Sequence, residues 1–297
     1  MRDHFPVEIS SSALFRLICE RFHEWGHVRS AVLFGSAAAS RFRPELGRKR
    51  AADFDFHVVT SSPDALEALD WKTEFGRLGY SLHICRKATG GVRKLTIVCT
   101  EGQIDIVLVP HFAMRLASLA ILFDLQRRFA PIRLALNEMA TCLHSGYTFI
   151  KGESVWGELY TNVSQLPGIR LSNMEIQKMA DAFLIDALWV LQKINAGELV
   201  AAQHVLHCKL VETNLRLWRE LRLRKGYSFS SFGLGRRAEQ IATSDEQACF
   251  SLTCAEGGDL RLSAFAMLQG VRTLMSRLNP EWSVPTSMQT LLDSHQT

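Results

Sequence analysis

Three aspartates and one glycine–serine pair are the residues whose types and spacing could do chemistry in this sequence. Asp53 and Asp55 alternate with aromatic residues in Asp53-Phe-Asp-Phe56. Successive side chains on a strand point to opposite faces, so the two carboxylates share one face, about 7 Å apart, while the two rings enter a core on the other. Carboxylates placed like this can grip a hard divalent cation. A third acid, Asp105, interrupts the apolar run Gln103-Ile-Asp-Ile-Val-Leu-Val-Pro110. A carboxylate among β-branched neighbours needs a partner, because burying it unpaired is costly. Upstream, Val32-Leu-Phe-Gly35-Ser36 ends a short apolar strand at a residue without a side chain, and such a turn lets backbone N–H groups and a hydroxyl approach a phosphate. Taken singly, a Gly-Ser is a turn, an Asp-x-Asp is a solvated strand end, and Asp105 faces water from an edge strand. The ordered combination of strand-Gly-Ser, strand-Asp-x-Asp and hairpin-Asp is far less expected by chance.

The elements that must position these residues follow from the pattern. Ser10 to Ser12 can cap a helix whose apolar residues Leu14, Ile18, Phe22 and Trp25 recur near helical spacing. Ser30 to Phe34 and Phe54 to Val59 read as strands, and Ser61-Ser-Pro-Asp64 opens a helix with proline at a tolerated early position. Three extended runs follow, Ser81 to Cys85, Leu95 to Cys99 and Ile104 to Val109; the last two are joined by a Glu101-Gly102 turn that predicts a hairpin, and Pro110 ends the sheet. Helices are expected over 112–128 and 131–143, then an irregular stretch from Gly146 to Ser172. A long helix is expected from Asn173 to Asn195, broken at Gly197 and resumed to Lys225. A turn-rich connector follows from Gly226 to Gly235, and a last helix from Leu260 to Leu278. The predicted fold is therefore an α/β (α+β) domain with a mixed sheet, residues 1–111, followed by an all-α domain, residues 112–297.

The composition agrees with such a globular chain. Of 297 residues 47% are hydrophobic and 22% charged, which excludes disorder, collagen and a charged coiled coil. The formal charge of +4 is too mild to demand nucleic acid as partner. Seven scattered cysteines without a C-x-x-C pair read as buried thiols in a reducing compartment. His204, His207 and Cys208 have helical spacing suited to a transition metal but lack an evident fourth ligand. The first residues, MRDHFPVEIS, carry early acids and no apolar core of a leader. The longest apolar run, Leu116 to Phe123, is far shorter than the ~20 residues of a spanning helix. A cytoplasmic protein with no membrane partner is expected; nothing in the sequence bears on oligomeric state.

The order of the motifs resembles the nucleotidyltransferase superfamily of the DNA polymerase beta type. That resemblance implies that Gly35 and Ser36 contact a triphosphate and that Asp53 and Asp55 hold Mg²⁺. Asp105 would then either complete the metal site or act as base. The chain departs from the pattern in the 16 residues between Ser36 and Asp53, which include the basic segment Arg41 to Arg50. In the helical half, Phe183-Leu-Ile-Asp-Ala-Leu-Trp189-Val-Leu-Gln-Lys193 followed by Gly197-Glu-Leu-Val-Ala-Ala202 is similar to the helical domain of aminoglycoside nucleotidyltransferases, particularly the streptomycin adenylyltransferase group. This implies that Lys193 reaches the ATP phosphates across an interdomain cleft. Asp186, Trp189 and Lys193 stand at i, i+3 and i+7 on one helix face; a core helix with snorkelling charges is the alternative.

The expected function is Mg²⁺-dependent transfer of a nucleoside monophosphate, AMP from ATP, to an acceptor hydroxyl with release of pyrophosphate. The expected acceptor is a small, aminoglycoside-like molecule near Asp181, Asp186 and Trp189, as in antibiotic inactivation. The alternatives are an RNA end or protein side chain, served by the basic segments Arg41 to Arg50 and Arg216 to Lys225, and an inactive nucleotide-binding interaction module.

Overall fold

The computed structural model describes residues 12–35, 37–38, 53–88, 91–144, 146–227, 235, 238–250 and 257–295. The chain divides into two compact units, Met1–Gly168 and Ile169–Thr297.

The first unit is built on a six-stranded sheet. Helix α1 (Ala13–Glu24) is capped by the Ser12 hydroxyl, which accepts from the Phe15 backbone N–H at 3.3 Å. Its Leu14, Ile18 and Phe22, four residues apart, are fully buried, each contributing about 1.5–3 kcal/mol by leaving water. Strands β1 (Val28–Phe34) and β2 (Asp53–Thr60) run antiparallel. After the short helices α2 (Pro63–Glu67) and α3 (Trp71–Phe75) come β3 (Tyr80–Lys87), β4 (Arg93–Cys99) and β5 (Gly102–Pro110). The sheet order is β3-β4-β5-β2-β1-β6, mixed because β2 and β5 are parallel while every other pair is antiparallel. The expected β4–β5 hairpin is present, with Cys99 opposite Gly102.

One face of this sheet is apolar. Phe54, Phe56, Ile104, Ile106, Leu95 and Ile97 are buried there with α1, and Phe22 meets Phe56 edge-on at 5.1 Å between ring centres, a preferred aromatic geometry. The alternation that sends these residues inward leaves Asp53, Asp55 and Asp105 on the opposite face.

Beyond β5 lie α4 (His111–Leu122), α5 (Leu125–Arg128) and α6 (Ala130–Leu143). The stretch from Gly146 to Ser172, expected to be irregular, instead holds strand β6 (Tyr147–Lys151) and helix α7 (Glu153–Ser164). Because β6 pairs with β1 at the sheet edge, the chain returns to the first unit after its helices. The division therefore falls at 168/169 rather than at 111/112.

The second unit is all-α. Helix α8 (Asn173–Asn195) occupies the expected span and opens with a reciprocal cap, Glu175 N–H donating to the Ser172 hydroxyl and Ser172 N–H to the Glu175 carboxylate, an arrangement that satisfies two otherwise orphaned donors. Helix α9 (Leu199–Val205) passes through a π-helical turn, Leu206–Val211, into α10 (Glu212–Arg224). The short α11 (Ala238–Ile241) and α12 (Ser244–Gln247) precede α13 (Gly257–Leu278) and α14 (Thr286–Asp293). The core includes Phe183, Leu217, Trp218, Met267 and Leu274. Inside it Asn214 Nδ2 donates to the carbonyls of Cys249 at 2.7 Å and Met267 at 3.0 Å. A Cβ added at Gly270 would stand 2.2 Å from the Cys249 carbonyl oxygen and 2.8 Å from that amide. Gly270→Ala is therefore expected to destabilise the second unit by about 1–3 kcal/mol, read as a lower urea midpoint. No described helix is long and apolar enough to cross a membrane.

Candidate active site on the acidic sheet face

The parallel register of β2 and β5 sets Asp55 directly opposite Asp105, and Asp53 opposite Gln103. Residues level on adjoining strands share a face about 4.8 Å apart, so all three acids project from one side of the sheet. Asp53 is exposed, Asp55 half-buried and Asp105 buried. Their environments differ because their neighbours do.

Asp55 faces the end of β1, where Phe34 is its register partner. The next residue, Gly35, has φ 80°, a left-handed backbone that residues with a side chain adopt only under strain. A Cβ at Gly35 would stand 2.6 Å from Asp55 Oδ2. The missing side chain is thus the space that the Asp55 carboxylate occupies. Ser36 and the basic segment Arg41 to Arg50 lie outside the described residues.

Asp105 is held on both oxygens. Its Oδ1 accepts from the Thr96 hydroxyl at 2.6 Å, and its Oδ2 accepts from Gln103 Nε2 at 3.1 Å and from the Lys94 ammonium at 2.7 Å. Thr96 lies opposite Asp105 and Lys94 opposite Val107, so β4 presents both to the acidic face. The three aspartates consequently do not converge as a set of metal ligands. Among the described residues no group of three or more acid, histidine or cysteine side chains is gathered to hold an ion.

The residues missed in the sequence are those around the acids. Lys94 and Thr96 follow from counting back along the hairpin from Glu101-Gly102, but an isolated Lys-x-Thr carries no signal of its own. Cys142, on α6, has its thiol pushed up to about 11, first by burial and then by the negative charges of Asp55 and Glu138, with Lys94 opposing them. The last turn of α6 therefore lies within the field of the acidic face.

His57, two residues beyond Asp55 on the same face, forms a hydrogen bond through Nδ1 with the Tyr160 hydroxyl of α7. Burial lowers its pKa to about 4. A histidine depressed below its unfolded value binds its proton more readily in the unfolded chain, so its stabilisation is complete above about pH 6.5 and is lost as the pH falls toward about 4. Between about pH 7.5 and about pH 5 this group alone is expected to cost about 2 kcal/mol of stability. Urea midpoints at the two pH values should show that loss in the wild type and a flatter response in His57→Gln.

In the second unit, Lys193 is bound by both carboxylate oxygens of Glu198 at 2.8 Å and lies 5.4 Å from the centre of the Trp189 ring. Asp186 is half-buried and Trp189 37% exposed on the same helix. A depression of about 530 Å³ opens beside α8, lined by Gln177, Asp181, Ile185, Glu281, Trp282 and Met288. There Asp181 Oδ1 accepts from the Trp282 indole N–H at 3.0 Å. Asp186 and Trp189 do not line it. Cys208 Sγ contacts His204 Nδ1 at 3.7 Å within the helix.

No family model matches the chain, and no curated protein does. Among solved structures the chain is similar, over 98% of its length and 98% of the other, to an aminoglycoside 6-adenyltransferase from Bacillus subtilis, at 11% identity and a TM-score of 0.40. It is also similar, over 94% of its length and 86% of the other, to a nucleotidyltransferase-like protein from Exiguobacterium sibiricum 255-15, at 12% identity and a TM-score of 0.30. At these scores neither likeness assigns an activity.

Proposed function

We propose that the protein is a Mg²⁺-dependent nucleotidyltransferase that moves AMP from ATP to a hydroxyl of a small molecule and releases pyrophosphate. The observation that carries this reading is the level pairing of Asp55 with Asp105, with Asp55 seated against a bare Gly35 and Asp53 two residues away on the same face. Two strand carboxylates beside a turn that lacks a side chain are a donor set suited to a hard cation and a phosphate together. Asp53 and Asp55 are the residues that would hold Mg²⁺, which when bound neutralises charge on the triphosphate and on the departing pyrophosphate.

The chain's own groups supply the rest. Gly35, and with it Ser36 as the sequence motif implies, would receive phosphate oxygens. Asp105 Oδ1 accepts one hydrogen bond, from Thr96, and a carboxylate oxygen has capacity for a second. That second position suits the acceptor hydroxyl. In the transfer step its oxygen bonds to the α-phosphorus, the bond from that phosphorus to the bridging oxygen breaks, pyrophosphate leaves, and the hydroxyl proton passes to Asp105. The Glu198 ion pair already occupies Lys193, and this reading does not require that lysine.

For the acceptor we propose a small hydroxylated cation held by the second unit, near Asp181, Asp186 and Trp189. The supporting observation is the depression in which Asp181 and Glu281 flank Trp282; an aromatic face beside carboxylates suits an ammonium group. Streptomycin, spectinomycin and other aminoglycosides should then stimulate pyrophosphate release from ATP. Asp181→Asn should raise the acceptor KM about tenfold while leaving the KM for ATP within about twofold. Labelling of RNA or protein, with no response to the panel, would replace this acceptor with a macromolecule.

A further inference from the structure

Asp105 is the acid most deeply set in the sheet, its side chain 11% exposed against 33% for Lys94. Both acceptor positions on Oδ2 are taken, one by the Lys94 ammonium at 2.7 Å and one by Gln103 at 3.1 Å. The backbone dictates this arrangement. The β4–β5 register puts Thr96 opposite Asp105, and the residue two positions before it, Lys94, emerges on the same face. A divalent ion brought to Asp105 would have to displace that ammonium or stand beside it, and like charges at such separations repel strongly in a partly desolvated site. The register partners of Asp53 and Asp55 across β2 and β5 are Gln103 and Asp105. The opposed effects of Asp55 and Lys94 on the Cys142 thiol agree with an ammonium lying close to the acid pair.

We infer that Lys94 is the resident cation of Asp105, so that the site takes a single divalent ion, at Asp53 and Asp55, with the lysine ammonium standing where a second ion would otherwise be held. This rests on the reading of Asp53 and Asp55 as metal ligands. Lys94 acts through Asp105 as a positioning residue: it holds Oδ2 turned toward β4, leaving Oδ1 for the acceptor hydroxyl.

Counting bound Mn²⁺, a spectroscopic stand-in for Mg²⁺, by the electron paramagnetic resonance of the free ion tests this without any turnover. The wild type is expected to bind one Mn²⁺ per chain. Asp53→Asn should abolish that binding, whereas Asp105→Asn should leave its affinity within about threefold, since Asp105 is not a ligand. Lys94→Gln should admit a second ion, or tighten the first by roughly tenfold, by removing the opposing charge. Lys94→Arg, which keeps the charge, should remain at one ion. Two ions in the wild type would overturn the inference, as would Asp105→Asn losing Mn²⁺ as completely as Asp53→Asn, or a folded Lys94→Gln that still binds one ion with unchanged affinity. The first two results need no lysine variant and decide the matter even if Lys94→Gln fails to fold. Absence of any Mn²⁺ binding in the wild type would instead remove Asp53 and Asp55 as a metal site, and this inference with them.

Discussion

Asp53→Asn is expected to lower the rate of nucleotidyl transfer by about 10³-fold, some 4 kcal/mol of transition-state stabilisation, while the melting temperature stays the same or rises. The two halves of this expectation have one cause. Asp53 is exposed at the start of β2 and shares a face with Asp55 and Asp105, so in the metal-free protein its charge mainly repels its neighbours, and the neutral amide removes that repulsion. On the proposed reading the same charge would hold the ion. A large loss of rate without loss of stability separates a functional carboxylate from a structural one. Melting curves and steady-state pyrophosphate release on the same preparation make the comparison. Retained activity would take Asp53 out of the site.

Gly35→Ala is expected to fail differently, losing activity and stability together. The φ of 80° at Gly35 costs a residue with a side chain about 1–2 kcal/mol, and the new methyl would stand 2.6 Å from Asp55 Oδ2, a separation that forces the carboxylate to move. An acid displaced by about an ångström loses on the order of 10²-fold in rate. The variant should therefore unfold at lower urea and show a reduced kcat, with its Mn²⁺ affinity weakened relative to the wild type. Unchanged Mn²⁺ binding in a folded Gly35→Ala protein would mean that the glycine serves the turn alone.

The acidic face was legible in the sequence because it rests on short-range rules. Strand alternation places Asp53 and Asp55 together whatever the sheet order, and the Glu101-Gly102 turn fixes the hairpin that carries Asp105. Helix α8 was legible for the same reason, its cap and its Ile176, Ala180, Phe183, Leu184 spacing both being local. What the sequence concealed depends on distant pairing. Strand β6 is five residues at a sheet edge between Gly146 and Gly152, with no long alternation to announce it, and only its partner β1 makes it a strand. The domain boundary moved with it. The partners of Asp105 were hidden because Lys94 reads as an ordinary surface lysine until the register brings it to 2.7 Å. The same holds for His57, whose part-buried bond to Tyr160 joins residues 103 positions apart.

The central claim, transfer of a nucleotide through cleavage at the α-phosphorus, is tested most directly by the fate of two labels. The protein is incubated with Mg²⁺, an acceptor panel of aminoglycosides, RNA and protein, and ATP labelled at either the α- or the γ-phosphate. The account predicts that the α-label moves to an acceptor, that the γ-label leaves in an equal amount of pyrophosphate, and that both events vanish in Asp53→Asn. Transfer of the γ-label to an acceptor, or no transfer of the α-label to any member of the panel by the folded wild type, would contradict it.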